Sequence, residues 1–261
     1  MKIIFSRKGW DSVFGGKPSP VFADHSMQSL PIECYPGSPL ASAITPPTLT
    51  RKGFGTLNAF LTAYHPNSTR TAFTHLDPDL DAGAYARLKG WIPGFGQTGS
   101  AASHLDKQPV ADGDLFLFYG WFDDIVYANP RWFGAKNDRY IIWGWLQIGK
   151  IYRAPSVPTV PSWLNYHPHV VQCHRPAYRN NRIYAASPSL TIGGERMSGW
   201  KGGGIFPFEH PNRCLTSAPG YRGPRPNRLP AWLKITKFRQ EHVWDSSQSE
   251  FANEYLRSFF V

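Results

Sequence analysis

Two short stretches carry the side chains best suited to chemistry. The first is T-H-L-D-P-D-L-D, residues 74–81, where Asp77 and Asp79 flank Pro78. A carboxylate beside a proline-fixed turn has little freedom to lose when it must face a developing charge or hold a water. Asp-Pro also makes turns for their own sake. Asp81 is placed to cap a helix over residues 82–89, with Gly90 just past its end, which leaves Asp77 and Asp79 without a structural task. The second stretch is Tyr166-His167-Pro168-His169, with Cys173 and His174 close behind. In an extended segment His167 and His169 point the same way, an arrangement open to a metal ion. The spacing matches no standard zinc pattern and no acidic ligand stands nearby in sequence. The expectation is therefore hydrogen bonding to a ligand or phosphate, with neither a metal nor another cofactor. His104 and Gln97 lie in G-F-G-Q-T-G-S-A-A-S-H, and either could hydrogen-bond a departing group and stabilise its negative charge.

These groups need rigid elements to hold them. The most apolar run of the chain, Leu115 to Phe122, reads as a strand. Leu115, Leu117, Tyr119 and Trp121 would lie on one face and Phe116, Phe118 and Phe122 on the other, so both faces are apolar and the strand is central. Residues 94–104 feed into it and read as a glycine-punctuated turn followed by a loop. Tyr140 to Tyr152 forms a second long strand, after a polar, turn-like segment over 123–139. The two strands echo each other in Tyr119-Gly120-Trp121 and Trp143-Gly144-Trp145. Glycine inside a strand marks a bulge or a close approach to the backbone, so Trp121, Phe122 and Trp143 could wall a slot. Core packing of the same rings is the commoner outcome.

Further elements follow from the same patterns. Residues 2–5 make a first strand, Leu57, Phe60, Leu61 and Tyr64 have helical spacing after Thr56, and residues 183–185 make a short strand. Short helices are expected near 229–234 and over about 246–260, the latter docking Phe251, Tyr255, Leu256 and Phe259 onto the sheet. The fold class is α+β, one domain over 1–261 with a central mixed, mostly antiparallel sheet flanked by short helices and long Pro/Gly-rich loops.

A surplus of 28 Lys+Arg over 18 Asp+Glu gives a net charge of +10, which attracts polyanions such as nucleic acid or an anionic membrane surface without choosing between them. Arg7 and Lys8 before Gly9 could cradle a phosphate, and so could Arg222, which with Tyr221 sits on a proline-rich basic loop suited to contact with an unpaired base. No run approaches the roughly 18 consecutive apolar residues of a membrane span, so no membrane partner is expected. Three widely spaced cysteines argue against a disulfide framework and fit a reducing cytoplasm.

The motifs S-R-K-G-W-D (6–11), H-L-D-P-D-L (75–80), F-G-Q-T-G with His104-Leu105, G-D-L-F-L-F-Y-G-W-F (113–122), G-W-L-Q-I-G (144–149), H-P-H (167–169) and L-P-A-W (229–232) are spread over nearly the whole chain. On them the sequence resembles the third family of nucleotide-modification-associated domains. A partial likeness to PUA-like and EVE modified-base readers rests on Gly113 to Tyr119 and Gly144 to Gly149. The family resemblance implies a place in systems that make, read or attack modified DNA bases, including anti-phage defence, with DNA carrying such bases as the partner and no obligate protein partner. The first function considered is a DNA glycosylase that flips a modified base and cleaves its N-glycosidic bond. Asp77 is then the catalytic carboxylate with Asp11 or Asp79 in reserve, and His104 or Gln97 stabilises the leaving base. A reader that binds without chemistry, or a transferase, is the alternative.

Overall fold

The computed structural model describes residues 1–11, 14–66, 72–128, 131–153, 160–217, 241–246 and 252–261. The expected helix at 229–234, with Tyr221 and Arg222, lies outside them.

The architecture is a large mixed sheet with a few short helices, the expected α+β arrangement. Its main path runs β12 (Glu241–Asp245), β1 (Lys2–Arg7), β4 (Leu115–Ala128), β6 (Arg139–Arg153), β7 (Arg182–Ala186) and β3 (Gly94–Gln97). Four strands pair off this path. β10 (Gly203–Ile205) and β11 (Cys214–Ser217) join β6; β2 (Ser19–Val21) and β5 (Arg131–Gly134) join β4. Only β1 and β2 run parallel to β4, and the other pairings are antiparallel. From Leu115 to Tyr119 every side chain of β4 is fully buried, as a strand apolar on both faces requires. Phe116 and Phe118 pack with Phe95 and Tyr184 on one of those faces.

The register of β4 against β6 slips between Phe118 and Tyr119. Phe118 pairs with Gly144 and Tyr119 with Ile142, so Trp143 is the extra residue of a bulge. Gly144 is needed there, since a Cβ on it would lie 2.6 Å from Leu80. The bulge foreshadowed by the strand glycines therefore exists, and it turns Trp143 toward the segment that carries Asp77 and Asp79.

Several expectations are corrected. Residues 94–97 are not a turn but the edge strand β3, and residues 99–107 are not a loop but helix α3 (Gly99–Lys107), whose Ala102 and Leu105 are buried. Residues 82–89 form turns, not a helix. Asp81 accepts the Gly83 N–H, and Arg87 folds back onto Asp79 and the Asp81 carbonyl, which removes the helical path. The supposed polar turn after Phe122 continues β4 and returns as β5, because Tyr127 and Trp132 pair across the strands and Trp132 packs on Phe22 and Phe54. The H-P-H segment is not extended. His167 precedes a short helix α4 (Pro168–Val171) that carries His169. Helix α2 (Leu57–Tyr64) begins at Thr56 as expected, the Thr56 side chain accepting the Ala59 N–H, and α5 (Ala252–Arg257) buries Leu256 in the core beside Phe259.

Candidate functional site

Residues 75–79 lie along the free edge of β3. The backbones of Asp79 and Gly94 exchange two hydrogen bonds of 2.8 and 3.0 Å, and the Asp77 carboxylate Oδ1 accepts the Gly96 N–H at 2.6 Å. The side chain of Asp77 thus occupies a place that a backbone carbonyl of a neighbouring strand would otherwise fill. The peptide between Asp77 and Pro78 is cis.

Three imidazoles converge on this carboxylate. His167 Nε2 is 3.3 Å from Oδ1, His169 Nε2 is 3.6 Å from Oδ2, and His75 Nδ1 is 3.9 Å from Oδ2. His169 reaches it across Gly96, where a Cβ would sit 2.2 Å from the imidazole, so this glycine serves close approach and not a turn. The four side chains are nearly closed to solvent, His75 being the most open at 14%.

Hydrogen bonds fix the imidazole tautomers. Asn181 donates its amide N–H to the His169 carbonyl at 2.6 Å, which turns its Oδ1 to His169 Nδ1 at 2.6 Å. Nδ1 of a neutral His169 therefore carries the proton and Nε2 presents a lone pair to Asp77. His167 Nδ1 accepts the His169 N–H at 3.3 Å, so in the neutral ring its Nε2 carries the proton, 3.3 Å from Oδ1 but outside hydrogen-bond geometry. Oδ1 thus faces donors, the Gly96 N–H and His167, whereas Oδ2 faces His75 and the lone pair of His169.

The charge state follows from burial and proximity. Burial pushes the Asp77 carboxyl up, but the three histidines around it outweigh this and hold it below the usual carboxylate range. Burial lowers His75 to about 4 and His169 to about 3, against the opposing pull of Asp77. At neutral pH Asp77 is an anion beside neutral His75 and His169, the protonation state in which such side chains ligate a cation. His75, Asp77 and His169 each offer a ligand atom, all within 4.8 Å of one another.

Asp77 also lines a cavity of about 60 Å³, with Pro78, Leu80, Ser29, Trp143 and Phe206 among its walls. That volume holds a few ordered waters.

The sequence candidates divide clearly. Asp77, His167 and His169 meet, and Trp143 walls the cavity beside them. Lys8 and Gln97 are turned inward toward the buried Glu241, which accepts from Lys8 at 3.2 Å and also from Gln97, while Lys8 stacks on Phe95. Asp79 lies next to Asp77 in sequence space but is engaged elsewhere. It forms a two-pronged pair with Arg87 at 2.6 Å and accepts from Tyr166 and Trp91. Asp11 sits in the turn after β1, accepting the Phe14 N–H at 2.8 Å and lying 3.9 Å from Arg7. His104 is on α3, away from the Asp77 cluster, its Nε2 buried without a hydrogen-bond partner among the described residues. Phe122 is core, and Trp121 is half-buried outside the cavity wall, so the slot has one of its three expected walls. Cys173 and His174 stay out of the cluster, and the acidic group absent near H-P-H is Asp77, brought in by the fold. The sequence reading missed His75, Asn181 and Gly96. The repeated spacing of His75-x-Asp77 and His167-x-His169 is the signal that could have found His75.

The chain belongs to the nucleotide modification associated domain 3 family, whose model matches residues 2–258. That membership assigns it a role in nucleotide modification systems. No curated protein and no solved structure matches it. Among the described residues no helix is long and apolar enough to cross a membrane.

Proposed function

We propose that this chain is a hydrolase of modified-DNA systems that cleaves the N-glycosidic bond of a modified base, with Asp77 as the catalytic carboxylate. The observation that carries the reading is Asp77 itself: an ionised carboxylate, nearly closed to solvent, held between fixed imidazoles at the wall of a cavity with room for water. Base departure builds positive charge on the sugar, and a buried anion next to a stored water both offsets that charge and positions the nucleophile. The cavity is too small to swallow a base, so the nucleotide would lie at its mouth, with the largely buried Trp143 forming part of the wall beneath it. The net charge of +10 favours a DNA strand as the carrier of that nucleotide.

The test is incubation with DNA containing ordinary or hypermodified bases, followed by alkali to reveal abasic sites. Strand breaks confined to modified DNA, and lost in Asp77→Asn, are the expected result. Tight binding of modified DNA with no abasic sites from the wild-type protein would replace the hydrolase with a reader.

A further inference from the structure

We propose that His75 Nδ1, Asp77 Oδ2 and His169 Nε2 form a site for one divalent first-row transition ion, such as Zn²⁺ or Fe²⁺. The argument begins with what a simple hydrogen-bonded cluster would require. If His169 and Asp77 were only a hydrogen-bonded pair, Nε2 would have to carry a proton. Asn181, its amide oriented by the bond it gives the His169 carbonyl, places that proton on Nδ1 instead. With a single proton on the ring, a lone pair then faces a carboxylate oxygen inside the protein, and the separation of 3.6 Å is too long for a direct hydrogen bond but suits two ligands of one positive ion.

The rest of the cluster agrees. The one hydrogen bond to the carboxylate among the described residues, from the Gly96 N–H at 2.6 Å, is on Oδ1, with His167 Nε2 3.3 Å from the same oxygen, and none reaches Oδ2. His167 is fully buried and its Nε2 makes no hydrogen bond of good geometry, so it stands beside the site as a positioning group for the carboxylate. Asn181 plays the part of the outer partner that orients a ligating histidine and raises its basicity. Three donors sharing an ion at about 2.1 Å are separated from one another by roughly 3 to 3.5 Å. The gap of 3.6 Å between His169 and Asp77 is close to this, and His75, 3.9 Å from Asp77 and within 4.8 Å of His169, would close on the ion by a side-chain movement. Two neutral imidazoles and one carboxylate suit a borderline transition ion over Mg²⁺ or Ca²⁺, and the cavity beside Asp77 leaves open positions for water. A water bound there would be acidified by the ion, which would make it a nucleophile at neutral pH.

Binding is measurable without any substrate, so this assignment stands or falls apart from the hydrolase reading. The full-length protein, treated with chelator and dialysed, is titrated with Co²⁺ in the visible range and with Zn²⁺ by calorimetry, Mg²⁺ serving as the control. One ion per chain is expected, with visible cobalt bands and no comparable uptake of Mg²⁺. His75→Gln and His169→Gln should each weaken binding at least about 100-fold, Asn181→Leu about 10- to 100-fold, and His174→Ala, exposed and beyond the end of the helix that carries His169, not at all. Should a variant misfold, ring ¹⁵N shifts of the wild-type histidines give the same answer, since Zn²⁺ must move His169 Nε2 and His75 Nδ1 and leave His169 Nδ1 protonated. No stoichiometric uptake, or unchanged affinity in folded His169→Gln, overturns the site. Abasic sites produced by protein that takes up no ion keep the hydrolase and discard the metal; one bound ion without abasic sites does the reverse.

Discussion

Asp77 and Asp79 are two residues apart, both largely buried, and both pressed against strand β3, yet their surroundings are opposite. Asp79 is met by groups that complete it: the guanidinium of Arg87 at 2.6 Å to each oxygen, the Tyr166 hydroxyl at 2.5 Å and the Trp91 indole at 3.2 Å. Asp77 is met by one backbone N–H and three imidazoles, with one oxygen given to donors and the other facing a lone pair. A saturated carboxylate is a clamp. One left with capacity beside titratable neighbours is available for chemistry.

The sharpest way to break this comparison is to remove each carboxylate in turn. Asp79→Ala leaves Arg87 buried without its partner and should cost about 3–5 kcal/mol in denaturant unfolding. The double change Asp79→Ala with Arg87→Met should recover part of that loss, because the uncompensated charge is gone. Asp77→Asn should change stability far less and reduce abasic-site formation by about 10²- to 10⁴-fold. If the two variants exchange these phenotypes, the clamp and the reactive group have been assigned the wrong way round.

A subtler blow falls on Gly96. Alanine there would place its methyl 2.2 Å from the His169 ring, so the ring must move away from Asp77. The expected cost is about 1–3 kcal/mol in stability, accompanied by a fall in activity, whereas Gly99→Ala, with open space around it, should spare activity and show only the strain of its positive φ.

Acid should find the Asp77 side of the comparison. In chelator-treated protein His75 and His169 protonate only near pH 4 and pH 3, while in the unfolded chain they take up protons near 6.5. Between those values the unfolded state binds more protons, so stability is complete above about 6.5 and falls as the pH drops. Asp77, held below its unfolded value, pushes in the same direction at lower pH. Lys8 adds to the depression of His75, and His167 to that of both rings. Melting temperature measured from pH 7.5 to 4.5 should decline, and the decline should flatten in His169→Gln. A flat wild-type profile would mean that these imidazoles are not held neutral by burial.

How much of this was written in the sequence depends on how local its cause is. The apolar run of β4 and the Thr56-capped helix α2 announce themselves, because each is decided by neighbours within a few residues. Trp143 was legible through Gly144, whose bulge turns the ring into the cavity. The helix foreseen over residues 82–89 failed because Arg87 answers a carboxylate of the preceding segment, a tertiary demand that outweighs propensity. Asp77 could be singled out from its place beside Pro78, but not its pairing with His167 and His169, since these arrive with a short helix and its N-cap that sequence could not place against β3. Gly96 looked like punctuation and proved to be clearance.

Asp11 offers the mildest test, and it extends the comparison to a third carboxylate. It sits in a turn, accepts the Phe14 N–H and lies 3.9 Å from Arg7, with both side chains a quarter exposed. An exposed pair of this kind contributes at most about 1 kcal/mol, so Asp11→Asn should shift the unfolding midpoint only slightly. If reactivity belongs to the carboxylate with unspent capacity, this variant should also leave abasic-site formation within about 2-fold of wild type, since each tenfold loss would need about 1.4 kcal/mol of missing transition-state stabilisation. A loss as deep as that of Asp77→Asn would mean that the turn after β1 reaches the substrate, and that burial among imidazoles is not what distinguishes the reactive group.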